Sequence, residues 1–203
     1  MATTLYGSYP TSYGNVTITG AQGTTAALNV ANGGSGSIAN MSIIAGTAKA
    51  LTSNTTITRS GYTFAGWNTA ADGSGNSYAD GASVTVYGNL TVYAKWSPVK
   101  PATPTAITAT VGNGQLTVSA TVPAASGTTS GTASSVTISA YNSSGTLIGS
   151  CTYTPTGSCV ISGLTNGTAY TLKTVASNSA GSSGTFTSGT TSTPAGFVVT
   201  YNA

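Results

Sequence analysis

The sequence predicts an all-β protein of two domains, and three observations lead to this prediction. Short stretches in which apolar and hydroxyl residues alternate, such as 116–120 and 136–140, have the pattern of half-buried strands. No stretch shows sustained helical periodicity. The segment 97–104 holds three prolines in seven residues, which favours an extended, semi-rigid linker between a first domain and a second one.

The composition argues against an enzyme. The 203 residues include five Lys or Arg, two Asp, no Glu and no His. General acid–base catalysis needs a group that titrates near working pH, and hydrolytic metal sites need several His, Cys, Asp or Glu ligands. Asp72 and Asp80 lie eight residues apart in one loop. We therefore expect no catalytic residues.

The charges also narrow the range of partners. The net charge of +3 comes from scattered single side chains, without the basic run that a nucleic-acid backbone requires. No apolar run approaches the ~20 residues of a membrane span. A nearly uncharged surface offers little repulsion against self-association. It is typical of a subunit in an assembly, while a soluble spacer that tolerates low charge remains the alternative.

An aromatic cluster is predicted to form the core of the first domain, at 26–96. Tyr62, Phe64 and Trp67 fall within six residues, and the closing strand ends at Trp96. A first strand is expected at 27–30, with 41–44 and 48–51 continuing the sheet. The phrase GYTFAGWNTAADGSGNSYADG at 61–81 resembles the Listeria–Bacteroides repeat, also called the internalin B-type repeat. This resemblance implies a small β-grasp-like module of bacterial surface proteins with no enzymatic role.

The loop from Asp72 to Asp80 carries the one possible cofactor site. Together with Ser74 and Asn76 it offers oxygen ligands at a spacing loosely like that of a calcium loop. An EF-hand would also need a bidentate Glu at its twelfth position and a flanking helix, which this sequence lacks. The alternative is a turn whose side chains bond their own backbone. No other cofactor is expected.

The second domain, at 105–194, resembles a bacterial fibronectin type III module. Its matching phrases are TAITATVGNGQLTVS at 105–119, SGLTNGTAYTL at 162–172 and ASNSAG at 176–181. The resemblance implies a seven-stranded sandwich with Leu164 in its core. It also implies that Tyr170 is a corner tyrosine whose hydroxyl reaches upstream backbone. Ala120 stands where the family usually has Trp, so a gap in the core is expected there.

Two cysteines are predicted to form a disulfide. Cys151 and Cys159 flank a turn-rich segment that should bring them face to face on adjacent strands. Such a bond indicates an oxidising medium.

The two ends of the chain are predicted to contact other subunits. The extension at 1–25 contains tyrosines that offer large contact areas, and the segment 195–203 contains an uncharged, β-prone strand that could add to a sheet edge. Packing on their own domains is the alternative for both. The candidate subunit contacts are Tyr6, Tyr9, Tyr13, Phe197, Val198, Val199 and Tyr201.

These features favour a non-enzymatic structural subunit of an extracellular or particle-surface assembly, such as a phage capsid or tail decoration or a surface fibre. The alternative is an adhesive module of a bacterial surface protein that recognises a host protein or a glycan, with sugars stacking on Tyr62, Trp67, Tyr78 and Tyr87. The sequence shows neither a signal peptide nor an anchor. It is expected to be either an excised fragment of an exported protein or a phage protein released by lysis.

Overall fold

The chain folds into strands alone over the part that the structure, a computed structural model, describes: residues 23–30, 33–189 and 192–196. The all-β prediction is confirmed. The strands are β1 (Gly23–Asn29), β2 (Met41–Ile44), β3 (Ala48–Ala50), β4 (Tyr62–Asn68), β5 (Ser77–Tyr78), β6 (Ser83–Thr85), β7 (Leu90–Pro98), β8 (Ala106–Gly112), β9 (Gln115–Thr121), β10 (Ser135–Tyr141), β11 (Leu147–Tyr153), β12 (Cys159–Ser162), β13 (Thr171–Asn178), β14 (Gly181–Ser182) and β15 (Phe186–Thr187).

Contacts divide the chain into two compact units. Among the described residues, those up to 58 and those at 64–96 form the first unit, and those at 59–63 and from 97 onward form the second. The Pro-rich segment, predicted as a linker, belongs to the second unit. Within it Pro101 forms a bridge with Gly131, and both Pro101 and Pro104 are buried.

The first unit is built on a five-stranded sheet in the order β2-β1-β7-β4-β5. Its first strand β1 and its last strand β7 are parallel neighbours, while β1 pairs antiparallel with β2 and β4 pairs antiparallel with β5. The strand predicted at 27–30 starts earlier, at Gly23. The prediction that 48–51 continues this sheet is wrong, because β3 pairs with β6 in a separate two-stranded sheet. Sequence alternation cannot show which strand is the partner.

Trp67 lies at the centre of the core of the first unit. Its side chain is fully buried, and the Phe64 ring meets it edge to face at a centroid distance of 5.1 Å. Phe64 also contacts Trp96 at 5.6 Å, and both residues pack against the buried cluster. Tyr62, predicted in this core, is instead half-buried and lies under the Arg59 guanidinium, 3.5 Å from the ring centroid.

Gly66 explains why a glycine separates the aromatic residues of this motif. Its φ of 103° lies in a region that side chains rarely adopt, and a Cβ there would overlap the Tyr78 carbonyl oxygen. The close approach of β4 to β5 therefore requires glycine next to Trp67.

The second unit contains two sheets. One has the order β12-β9-β8, and the other has the order β11-β10-β13-β14, with β15 also pairing with β13. Strands β10 and β13 are antiparallel over seven residue pairs, from Ser135 opposite Ser177 to Tyr141 opposite Thr171.

The core of the second unit follows from alternation along its strands. In β10 the side chains of Val136, Ile138 and Ala140 are fully buried, and the residues between them are half-buried. Strands β9 and β13 follow the same rule. The buried aliphatic residues of both sheets form one cluster, so the core is spread over several strands.

Two tyrosines complete this core. The hydroxyl of Tyr170 accepts a hydrogen bond of 3.0 Å from the Thr165 amide, which is the upstream bond expected of a corner tyrosine, and Leu164 beside it is 5% exposed. At the expected gap, the hydroxyl of Tyr153 on β11 accepts a 2.6 Å bond from the Ala120 amide on β9. Tyr170 belongs to the buried core cluster, and Tyr153 packs against it. Tyr153 thus connects the two sheets where a Trp was expected.

Candidate functional site

The Asp72–Asp80 loop is organised by an amide side chain that the sequence analysis missed. Asn68 is 1% exposed, and its Nδ2 donates to the carbonyl oxygens of Gly73 and Gly75 and to the hydroxyl of Ser77, at 3.0–3.1 Å. Its Oδ1 accepts from the amides of Ala70 and Gly75. The signal available in the sequence was an Asn shortly before a Gly-rich turn.

The two aspartates of this loop accept hydrogen bonds from different parts of the first unit. Asp72 Oδ1 accepts from the Ser74 hydroxyl at 2.7 Å and from the Ser74 amide at 3.0 Å. These bonds hold the pKa of the Asp72 carboxyl below its usual value. Asp80 Oδ1 accepts from the Asn54 amide at 2.9 Å. Among the described residues there is no group of three or more His, Cys, Asp or Glu side chains that could hold a metal ion.

The predicted disulfide between Cys151 and Cys159 is present, with a Cα–Cα distance of 5.9 Å. Cys151 lies on β11 and Cys159 on β12, which are the edge strands of the two different sheets. A Cβ at Gly149 on β11 would meet Ile161 of β12 at 3.0 Å, so the two edges pack closely. The disulfide therefore joins the two sheets along one side of the second unit.

This disulfide edge, formed by β11 and β12, exposes apolar side chains. Leu147 is 52% exposed, Ile148 42% and Val160 46%. Neither strand carries a charged residue or a proline. Edge strands present unpaired backbone groups, and natural proteins commonly protect them with charges or prolines. The disulfide edge lacks both of these protections.

The aromatic residues considered for sugar stacking lie in different surroundings. Trp67 is fully buried, as predicted for a core residue, which rules it out as a stacking platform. Tyr78 packs against the core, and Tyr62 is half-buried beneath Arg59. Tyr87 is 68% exposed.

A second surface feature was not expected from the sequence. The outward face of the five-stranded sheet in the second unit carries a groove lined by Tyr141, Lys173 and several hydroxyl side chains. The predicted subunit contacts Tyr6, Tyr9, Tyr13, Phe197, Val198, Val199 and Tyr201 lie outside the described residues. In the described ranges no helix is long and apolar enough to cross a membrane.

Comparison with solved structures gives several similarities at low identity. The FN1–FN3 domains of chicken CNTN1 are 17% identical, with a TM-score of 0.40, covering 60% of this chain and 40% of theirs. The titin kinase with its flanking domains is 18% identical, with a TM-score of 0.37, covering 47% of this chain and 17% of that one. A crystal structure of further titin domains is 12% identical, with a TM-score of 0.37, covering 80% and 58%. The chain thus spans less than two thirds of each of these proteins.

Comparison of the sequence with known proteins and families gives a match in the first unit. No curated protein matches the chain. The family model of the Listeria–Bacteroides repeat domain matches residues 29–95. These residues include the whole of β4 with its Phe64, Gly66 and Trp67, and the expected resemblance at 26–96 is confirmed for this segment.

Proposed function

We propose that this protein is a non-enzymatic structural subunit of an extracellular or particle-surface assembly, such as a phage capsid or tail decoration or a surface fibre. The disulfide edge forms its subunit contact, and the segment 197–201 of one copy adds as a strand to β11 of another. The observation that carries the proposal is the exposure of Leu147, Ile148 and Val160 on two uncharged edge strands.

The distribution of charged side chains in the second unit also favours the role of an assembly subunit. The second unit contains Arg59, Lys100 and Lys173 as its charged side chains, and none of them lies on β11 or β12. Two copies can therefore approach through this edge without burying an unpaired charge, which is the main electrostatic cost of an interface. Strand addition to a sheet edge supplies main-chain hydrogen bonds, and the apolar side chains supply buried area.

The folds of the two units support a role at a surface. We assign the second unit to the fibronectin type III sandwich, because its strands divide into a sheet of three and a sheet of five, in which β14 and β15 both pair with β13, and because Tyr170 makes the corner bond. The parallel pair β1–β7 at the centre of the first sheet supports a β-grasp-like module. The repeat match and the disulfide both favour a location outside the reducing cytoplasm.

Sedimentation velocity on the full chain over a wide range of concentration tests the assembly. We expect concentration-dependent oligomers, and we expect both the deletion of 197–203 and the substitution Ile148→Lys to weaken association at least tenfold. A lysine on the disulfide edge would place a charge in the contact. Ile44→Lys is the matched control, because Ile44 is 51% exposed on β2 of the first unit.

Two results would contradict the assembly role. One is a chain that stays monomeric at millimolar concentration, and the other is association that Ile148→Lys and Ile44→Lys weaken equally. Circular dichroism on each variant shows whether the strands are retained, so that unfolding is not mistaken for lost association.

A second candidate function is adhesion to a glycan. The groove that contains Tyr141 and Lys173 favours it, because hydroxyl, aromatic and cationic side chains line one concave surface.

A further inference from the structure

The groove on the outward face of the β10–β13 sheet has a specific structural origin. Ser177 pairs with Ser182 on β14, whereas Thr174 pairs with Phe186 on β15, so the register shifts by one residue between the two strands. Gly184 and Thr185 therefore both lie opposite Val175. Such a bulge bends the strand and re-aims its side chains. Here it opens a groove of about 450 Å³ beside β13.

Serine side chains keep β13 hydrogen-bonded around this bulge. The hydroxyl of Ser183 accepts from the Ala176 amide at 3.0 Å, and the hydroxyl of Ser188 accepts from the Leu172 amide at 3.1 Å. The amides of β13 therefore keep both hydrogen bonds despite the bulge. The groove is part of the folded sheet and does not arise from frayed chain ends.

The lining combines three kinds of chemical group. Residues on the outward face of β10 and β13 alternate with the buried residues, and Ser139 lies directly opposite Lys173. The Lys173 ammonium lies 4.6 Å from the centre of the Tyr141 ring. Hydroxyl groups surround this pair; they belong to Thr137, Ser139, Thr185 and Thr187.

Lys173 is held in place without being neutralised. The second unit contains no Asp or Glu, because Asp72 and Asp80 are the only acidic residues and both lie in the first unit. The aromatic ring attracts the ammonium but leaves its positive charge and its donor N–H groups intact. A ligand carboxylate would thus meet no acidic side chain of this unit that competes for Lys173.

We infer that this groove binds an acidic saccharide, with the sugar carboxylate on Lys173, the ring hydroxyls on the Thr and Ser side chains, and one apolar sugar face against Tyr141. A volume of about 450 Å³ lies within the range of small-molecule sites. A charge-assisted hydrogen bond to the ammonium is roughly twice as strong as a neutral one, which selects the acidic sugar over its neutral counterpart. The inference rests on the adhesive function and is independent of assembly.

Titration of the isotopically labelled full chain with trigalacturonic acid, followed by amide chemical shifts, tests the inference. The fully methyl-esterified trisaccharide is the matched ligand, because it has the same rings without the carboxylate charge. We expect saturable shifts confined to β10, β13 and β15, and at least tenfold weaker binding for the ester. Lys173→Gln should weaken binding of the acid about tenfold, while Lys100→Gln, which removes the same charge outside the groove lining, should leave it unchanged.

The possible results distinguish specificity for an acidic saccharide from adhesion to glycans in general. Equal binding of acid and ester at the groove would overturn acidic specificity while leaving adhesion to a glycan standing. Equal loss of binding in Lys173→Gln and Lys100→Gln would show a general effect of charge and would overturn the site. An absence of shifts at the groove with either ligand at millimolar concentration would overturn the inference and the adhesive function together.

Discussion

The two units form β-cores from the same residue types in different ways. The first unit buries Trp67 among aliphatic residues of several strands, with Phe64 and Trp96 packed against them. The second unit contains no Trp and distributes its core over alternating aliphatic residues of both sheets, with one disulfide at the edge. Both units thus bury aliphatic residues of several strands, and the first unit differs by adding one large, fully buried aromatic side chain.

This difference determines where each unit is vulnerable. Large aromatic residues contribute the most buried area per residue, so Trp67 is expected to contribute more to the first unit than any one of its aliphatic neighbours. In the second unit each aliphatic residue contributes less, and the covalent bond limits the freedom of the unfolded chain. We expect the first unit to be sensitive to one substitution and the second to loss of its cross-link.

Trp67→Ala should produce the largest effect. Removing a fully buried Trp leaves a cavity, which typically costs about 3–5 kcal/mol. The free energy of unfolding of small domains is only ~5–15 kcal/mol, so the first unit should lose much of its stability. Urea denaturation followed by the emission of Trp96, which also lies in the first unit, measures the change.

A comparison with the exposed Tyr87 sharpens this prediction. Tyr87→Ala removes an aromatic side chain that is 68% exposed, and we expect a smaller loss of stability than for Trp67→Ala because less apolar area is uncovered. Similar losses in Trp67→Ala and Tyr87→Ala would show that the first unit does not depend on its central aromatic residue.

Loss of the disulfide should produce the next largest effect, in the second unit. For a separation of 8 residues, the entropy of loop closure gives a destabilisation of about 2.5 kcal/mol. Urea denaturation of the double variant Cys151→Ala/Cys159→Ala, followed by the methyl resonances of Leu116 and Ile138, measures it. Reductant should shift the wild-type midpoint toward that of the variant and leave the variant itself unchanged. A wild-type midpoint that does not respond to reduction would contradict this role.

The smallest effect concerns Tyr153, the residue that connects the two sheets. Burial raises the pKa of the Tyr153 hydroxyl above its usual value of 10.0. The stabilisation from the neutral phenol is therefore fully present below pH 10 and is lost as the pH rises through the raised pKa. Tyr153→Phe should cost about 1 kcal/mol at neutral pH, because the Ala120 amide loses its acceptor.

The alkaline part of this prediction is measured by urea denaturation at several pH values above 10. Tyr153→Phe should show a smaller loss of stability with rising pH than the wild type. Parallel losses in the two proteins would mean that the Tyr153 hydroxyl does not titrate differently in the folded and unfolded states.

Features set by local sequence were the predictable ones. The aromatic motif of β4 identified Trp67 as a core residue, and the short turn between Cys151 and Cys159 identified the disulfide. In both cases residues close in the chain determine the contact. The corner bond of Tyr170 spans only five residues and followed from the resemblance of its surrounding phrase.

Features that depend on pairing between distant strands were not predictable. Strand β3 joins β6 because of a register that alternation alone does not encode. Tyr153 occupies the gap at Ala120 from the opposite sheet, 33 residues along the chain. The groove at Lys173 requires the register shift between β14 and β15, which two short strands do not reveal in the sequence.

Hydrogen–deuterium exchange of the full chain at low and high protein concentration tests the assembly role most directly. If subunits join through the disulfide edge, amides of β11 and β12 should become protected as concentration rises, and Ile148→Lys should abolish this added protection. If protection instead rises elsewhere while β11 and β12 exchange at the same rate at both concentrations, the disulfide edge is not the subunit contact.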